Sequence, residues 1–216
     1  QINKNNIKIN GHKNTYGLTI DGTNITIKNN KINSNSDDHY AAGLEIAGNS
    51  KANIENNEIS AKAENVTYGI YAENYGQVGS ELTITNNKIN SESNTAYGVI
   101  IVSNKTNTKT NNNITTKANY TTALGIKNGT ANIENNNINA NGSNKGTSAD
   151  SNPMGPIQTT GIYTENTNVN IKNNNITSTS DKTIDLNNCS GTIKDNKLKA
   201  ANGAKGDETI KQTNSN

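Results

Sequence analysis

Ile27-Lys28-Asn29-Asn30-Lys31-Ile32 is the stretch that decides how this chain reads. An aliphatic residue, a variable residue, two Asn, a second variable residue and another aliphatic follow one another. The phrase returns from Ile54 to Ile59, Ile84 to Ile89, Ile133 to Ile138 and Ile171 to Ile176. Weaker copies run from Ile2 to Ile7, Lys109 to Ile114 and Ile193 to Leu198, which makes eight in all. The second Asn falls at Asn5, Asn30, Asn57, Asn87, Asn112, Asn136, Asn174 and Asn196, in steps of 25, 27, 30, 25, 24, 38 and 22 residues. A recurring unit of that size implies one small structure stacked on copies of itself.

Each unit reads as three short strands. Strand A starts at a Gly and alternates apolar residues, as in Gly17-Leu18-Thr19-Ile20 and Gly69-Ile70-Tyr71-Ala72. Strand B precedes the Asn pair and carries Ile25 and Ile27, or Leu82 and Ile84, on one side. Strand C follows the pair with Ile32 and Ser34, or Ile138 and Ala140. A period of two buries one face of each strand. Strands this short need partners in the next unit, so like residues should stack on like. The Asn pair leaves almost no loop between strands B and C. Asn tolerates the left-handed backbone of a sharp bend, and stacked amides bond along a ladder. The eight second Asn residues are therefore expected to form a structural Asn ladder at one corner. Lys4 and Asp195 replace the first Asn at the two ends of the array.

Composition alone points elsewhere. Asn accounts for 47 of 216 residues, apolar residues for 29%, and Phe, Trp and Arg are absent. Such a chain would usually be disordered, but disorder gives no reason for Ile at fixed offsets. A narrow tube with a thin core of Ile, Leu, Val and Ala reconciles the two. The 20 Lys and 18 acidic residues are spread along the chain, for a net charge of +2. With no basic stripe and no Arg fork, nucleic acid is not an expected partner. No apolar run is long enough to span a bilayer, so no membrane insertion is expected in this segment. Cys189 is the single cysteine and reads as a small apolar residue in the last coil. The chain begins inside a repeat, so it is expected to be a fragment of a longer helix, with further coils of the same chain.

These features resemble the right-handed parallel β-helix of the pectate-lyase-like superfamily, including its Asn ladder at the tight bend. Within it the chain looks most like adhesin-like surface repeats and autotransporter passenger domains. The resemblance implies an all-β fold: a right-handed parallel β-helix solenoid of about eight coils, three short strands per coil. Residues 1–200 would form it, with 201–216 a linker or the start of a further coil. It also implies a non-enzymatic cell-surface or secreted module, bacterial or archaeal, binding host or environmental glycans or surface proteins along an extended face. The alternative it carries is a polysaccharide lyase or glycoside hydrolase. Polygalacturonase-like enzymes combine an Asp-Asp pair with Gly-His-Gly and Arg-Ile-Lys. This chain has Asp37-Asp38 and neither of the other motifs, so no catalytic residue is assigned.

Departures from the repeat are the binding candidates. The 38-residue step holds an insertion from Asn141 to Thr159 with Pro153, Met154 and Pro156. Asp37, Asp38 and His39 form a second candidate. Calcium is the ion such adjacent carboxylates suggest, but no cluster of ligands stands behind it, so no metal or cofactor is expected. A bulge from Gln77 to Glu81 is the third. Tyr16, Tyr68 and Tyr97 precede strand A glycines and are expected at a corner against the core. Tyr71 and Tyr163 have outward parity, with Thr19, Glu45, Ile100, Lys127 and Asp185 as their counterparts in other coils. Three coils apart, those two Tyr are not expected to share a continuous stripe. Exposed Tyr is suited to stacking on a sugar or anchoring a protein.

Overall fold

The computed structural model describes residues 1–73, 79–103, 105–144, 158–201, 203 and 205–216. The chain winds into a solenoid with three walls. Wall A comprises Asn14–Asp21, Tyr40–Ala47, Val66–Glu73, Thr95–Val102, the starts of Tyr120–Glu134 and Thr160–Lys172, then Ile184–Asn187 and Ile210–Thr213. Wall B comprises Ile2–Asn3, Asn24–Lys28, Lys51–Glu55, Glu81–Thr85, Thr106–Thr110, the ends of the same two long strands, and Ser190–Lys194. Wall C is an eight-stranded sheet from Asn6–Gly11 to Lys197–Lys199. Neighbouring strands in every wall are parallel, with Ile27 beside Ile54, Ile54 beside Ile84, and Ile32 beside Ile59. Eight rungs thus bound seven complete turns.

Not every coil keeps three separate short strands. Tyr120–Glu134 and Thr160–Lys172 each run through walls A and B without a break, joining the two walls into one hydrogen-bonded sheet. Their corners contain Asn128 at φ 66° and Asn166 at φ 50°, a bend tight enough to keep pairing on both sides. Past the last rung, Ile210–Thr213 pairs with Ile184–Asn187, and the backbone N–H of Asn216 donates to the carbonyl of Cys189 at 3.0 Å.

The two Asn of each doublet do different work. The first turns the chain: Asn29, Asn56, Asn86, Asn111, Asn135 and Asn173 all lie at φ 55–58°. Lys4 and Asp195 take the same conformation, both at φ 58°. The second Asn points into the corner and is buried in the six inner rungs, from Asn30 to Asn174. Asn87 Oδ1 accepts from both the backbone N–H and the Nδ2 of Asn57, at 2.8 and 3.0 Å. Asn87 Nδ2 donates back to Ile54 O at 2.8 Å and onward to Asn112 Oδ1 at 3.1 Å. Equivalent bonds join Asn5 through Asn196 without a gap. Backbone groups stranded by the bend thereby gain partners that water cannot supply at a buried corner.

The lumen is packed with aliphatic columns. Ile27, Ile54, Ile84, Ile133 and Ile171 form one and Ile32, Ile59, Ile89, Ile114, Ile138 and Ile176 another, all at most 1% exposed. Strand A glycines keep wall A close to wall C. A Cβ on Gly69 would lie 2.5 Å from Gly98 O and nearer still to Ile89 Cγ2. Outside, charges stack in alternation. Lys31, Glu58 and Lys88 pair at 3.6 and 3.2 Å, and Lys62, Glu92 and Lys117 at 3.8 and 3.4 Å. Exposed pairs stabilise little, but a shift of one coil would set like charges together.

One residue breaks the first of these columns. Lys109 stands between Ile84 and Ile133, fully buried, and its Nζ has no hydrogen-bond partner among the described residues. Burial holds its amine well below the ordinary lysine range, so the folded chain favours its neutral form. The unfolded chain takes up a proton below about pH 10.4. Stability should therefore rise as pH is raised towards that ordinary value, since Lys109 keeps its usual affinity for protons only when unfolded. Lys109→Ile restores the column. It should stabilise by on the order of 2 kcal/mol at neutral pH and flatten that pH dependence, as read by urea unfolding at a series of pH values.

Candidate binding face

Wall A carries aromatic side chains on its outer surface because the stacking register puts them there. Tyr16, Tyr40, Tyr68 and Tyr97 come from four successive coils, and their ring centroids lie 5.3, 5.5 and 4.7 Å apart in turn. The last pair is nearly parallel, at 8°. Tyr71 joins the string with its ring 4.6 Å from Tyr68. Tyr16, Tyr68 and Tyr97 do not sit against the lumen core, as position beside a Gly suggests. Alternation breaks at the glycine: Gly69 and Ile70 both face inward, which turns Tyr68 outward. A second apolar cluster results on the outside of the tube. Ala42, Tyr68, Tyr97 and Ile100 are its buried centre, with Tyr40, Tyr71, Tyr120 and Tyr163 half-buried around them.

Tyr71 and Tyr163 share one outward column, in the order Thr19, Glu45, Tyr71, Ile100, Gly125, Tyr163, Asp185. Gly125 holds the position that parity gives to Lys127, because Ala123 replaces the strand A glycine in that coil and moves the frame by two residues. The two tyrosines are three coils apart but belong to a single cluster, whose centre at Ile100 and Tyr97 is fully buried and whose accessible parts are the half-buried tyrosines around it.

Each tyrosine is anchored in the same way. The phenol of Tyr71 donates to Glu73, and that of Tyr163 donates to Glu165 at 3.0 Å. The local sequence is the same, Gly69-Ile70-Tyr71-Ala72-Glu73-Asn74 against Gly161-Ile162-Tyr163-Thr164-Glu165-Asn166. That repeated Gly-Ile-Tyr-x-Glu-Asn was the signal in the sequence for two matched stations. Lys127 reaches Glu165 at 3.1 Å, across neighbouring coils. Burial raises the Glu45 carboxyl, a shift the Thr19 hydroxyl at 3.4 Å partly opposes.

The other candidates separate. Asp37, Asp38 and His39 occupy the corner between walls C and A. His39 Nδ1 meets Asn65 Nδ2 at 3.3 Å, and its carbonyl accepts from Val66 N–H at 3.1 Å. These are contacts of a corner within the stack. No group of three or more His, Cys, Asp or Glu side chains suited to a metal occurs among the described residues. Pro153 and Met154 lie outside the described residues, as do Gln77 and the rest of the insertion's centre.

A family model described as a right handed beta helix region matches residues 16–154, more than half of the sequence. The chain belongs to the right-handed β-helix family. No curated protein and no solved structure matches it. Membership gives the handedness of the coil and agrees with the parallel register, and it leaves the activity open. Among the described residues, no helix is long and apolar enough to cross a membrane.

Burial foremost, then the Glu165 and Asp185 carboxylates, push the Tyr163 phenol up to about 12. Its neutral form is the one the folded state favours, so its contribution to stability is full below the ordinary value near 10 and is lost as pH rises through about 12. In a phenolate absorbance titration, the difference between the wild-type protein and Tyr163→Phe should be one late transition near that pH. A difference transition near 10 would mean that Tyr163 stands free in solvent.

Proposed function

We propose that this domain is a non-enzymatic interaction rod, displayed on a cell surface or secreted, which holds a glycan or protein partner on the aromatic surface of wall A. The single outer cluster is the observation that carries this reading. This aromatic patch is separate from the aliphatic lumen that forms the tube's own core. Tyrosines with rings half in contact and hydroxyls held by carboxylates give a pre-set surface that loses little freedom on binding. Such residues dominate the energy of recognition surfaces.

Hydrolysis of a glycosidic bond generally needs two carboxylates facing each other across the substrate. On wall A no two carboxylates from adjacent coils share a column, since Glu45 is followed by Tyr71, and Asp185 by Lys211. Glu73 lies diagonally from Glu45 but is engaged by the Tyr71 hydroxyl. This supports binding over turnover.

Retention on an array of glycans and purified surface proteins tests the reading. The protein should bind at least one partner without releasing reducing ends or unsaturated sugars. Tyr71→Ala combined with Tyr163→Ala should weaken that binding at least about tenfold, as loss of two aromatic anchors predicts, with the circular-dichroism spectrum of the folded coil retained. Release of cleaved sugar, or a double variant whose binding is weakened for none of the partners, would contradict it.

A further inference from the structure

A second site lies on the corner between walls C and A. An open trough of about 590 Å³ runs along the rod from Lys62 in the third coil to Thr179 in the seventh. Four strand spacings make it about 19 Å long. Its floor is built from small side chains, Ala63, Ala118 and Gly142 among them. One rim is the stack of Lys62, Glu92 and Lys117, whose charges pair with one another. On the other rim, Asn119 Nδ2 donates to Asn94 Oδ1 at 3.2 Å, and Ser143 Oγ donates to Asn119 Oδ1 at 2.7 Å.

We infer that this trough binds a linear, uncharged, hydroxyl-rich chain, a neutral polysaccharide strand lying parallel to the rod. Three observations select that class. The lining sets two lysines, Lys62 and Lys117, against two glutamates, Glu64 and Glu92, so a polyanion meets no net positive charge there. Backbone groups along the corner are spent on the coil itself, since Asn94 N–H donates to Glu64 O at 2.8 Å, Asn119 N–H to Asn94 O at 3.0 Å and Ser143 N–H to Ala118 O at 2.9 Å. An extended peptide, which binds a sheet through backbone bonds, finds none on offer. What remains is a row of side-chain amides and hydroxyls above an apolar floor. Amides donate and accept, as hydroxyls do, and the floor suits the C–H faces of sugar rings. The site shares no residue with the tyrosine surface of wall A, so it stands or falls independently of the proposed function.

Titration calorimetry tests it, with linear hexasaccharides of glucose, mannose, xylose and N-acetylglucosamine as probes and hexagalacturonate as the charged control. At least one neutral chain should bind at millimolar concentration or below, with an affinity unchanged by added salt. Asn94→Ala with Asn119→Ala should lower the affinity about tenfold, the loss of two hydrogen bonds. Ala118→Phe, which fills the floor, should abolish it. Both variants alter the outer surface, and an unchanged thermal midpoint shows that they fold. Tyr71→Ala with Tyr163→Ala should leave this binding intact. The inference is overturned if no neutral chain binds at millimolar concentration, if only hexagalacturonate binds, or if the trough variants bind as the wild type does.

Discussion

A buried carboxamide repeated once per coil is the constraint on which the molecule depends. A chain that bends within two residues strands backbone donors and acceptors at the corner. In this protein each ladder Asn supplies one acceptor and two donors to those groups, and the same atoms bind the coils above and below. A corner built that way works only when the next coil presents its own Asn at the same height. Repetition is therefore not decoration on the fold. It is the condition under which each corner is satisfied.

Fixed corners set everything else by register. With the rungs aligned, Ile columns fill the lumen, Lys stacks on Glu, and the tyrosines of four coils meet ring to ring. No wall needs a long strand or a large core, which explains how so polar a chain folds. The rigid tube also frees its outer faces. Side chains on wall A and at the C–A corner are held in place by the coil beneath them. Lys109 shows how much variation the scheme tolerates: an amine replaces Ile in the core, the chain keeps its path, and burial lowers the amine's affinity for a proton.

The fold was legible because its signal is periodic. Asn doublets at a spacing of 22–38 residues, with Ile on both sides, define the corner and the inward faces of walls B and C. Wall A was harder. Strict alternation fails at its glycines, so Tyr68 and Tyr97, expected at a corner against the core from their place beside a Gly, face away from the lumen. Ala123 hides the glycine marker in one coil, which displaced Gly125 in favour of Lys127. The division of labour within the doublet, with one Asn for the bend and the other for the ladder, needed backbone angles to see. Lys109 passed as a weak copy of the repeat because its burial is set by neighbours 25 and 24 residues away. The Tyr71 and Tyr163 stations were visible as outward residues. Their union through Ile100 depended on contacts between coils, which spacing alone does not give.

Comparison of two Asn→Ala variants by urea unfolding tests the ladder most directly. Asn87 is a buried rung, and Asn113 is an exposed Asn one coil on, whose Oδ1 accepts from Asn137 Nδ2 at 3.2 Å. Both take part in side-chain amide stacking, and only the first serves stranded backbone. Asn87→Ala should destabilise the domain by about 3 kcal/mol, and Asn113→Ala by about 0.5 kcal/mol or less. Equal, small losses for the two would show that the coil is held by something other than its Asn corner.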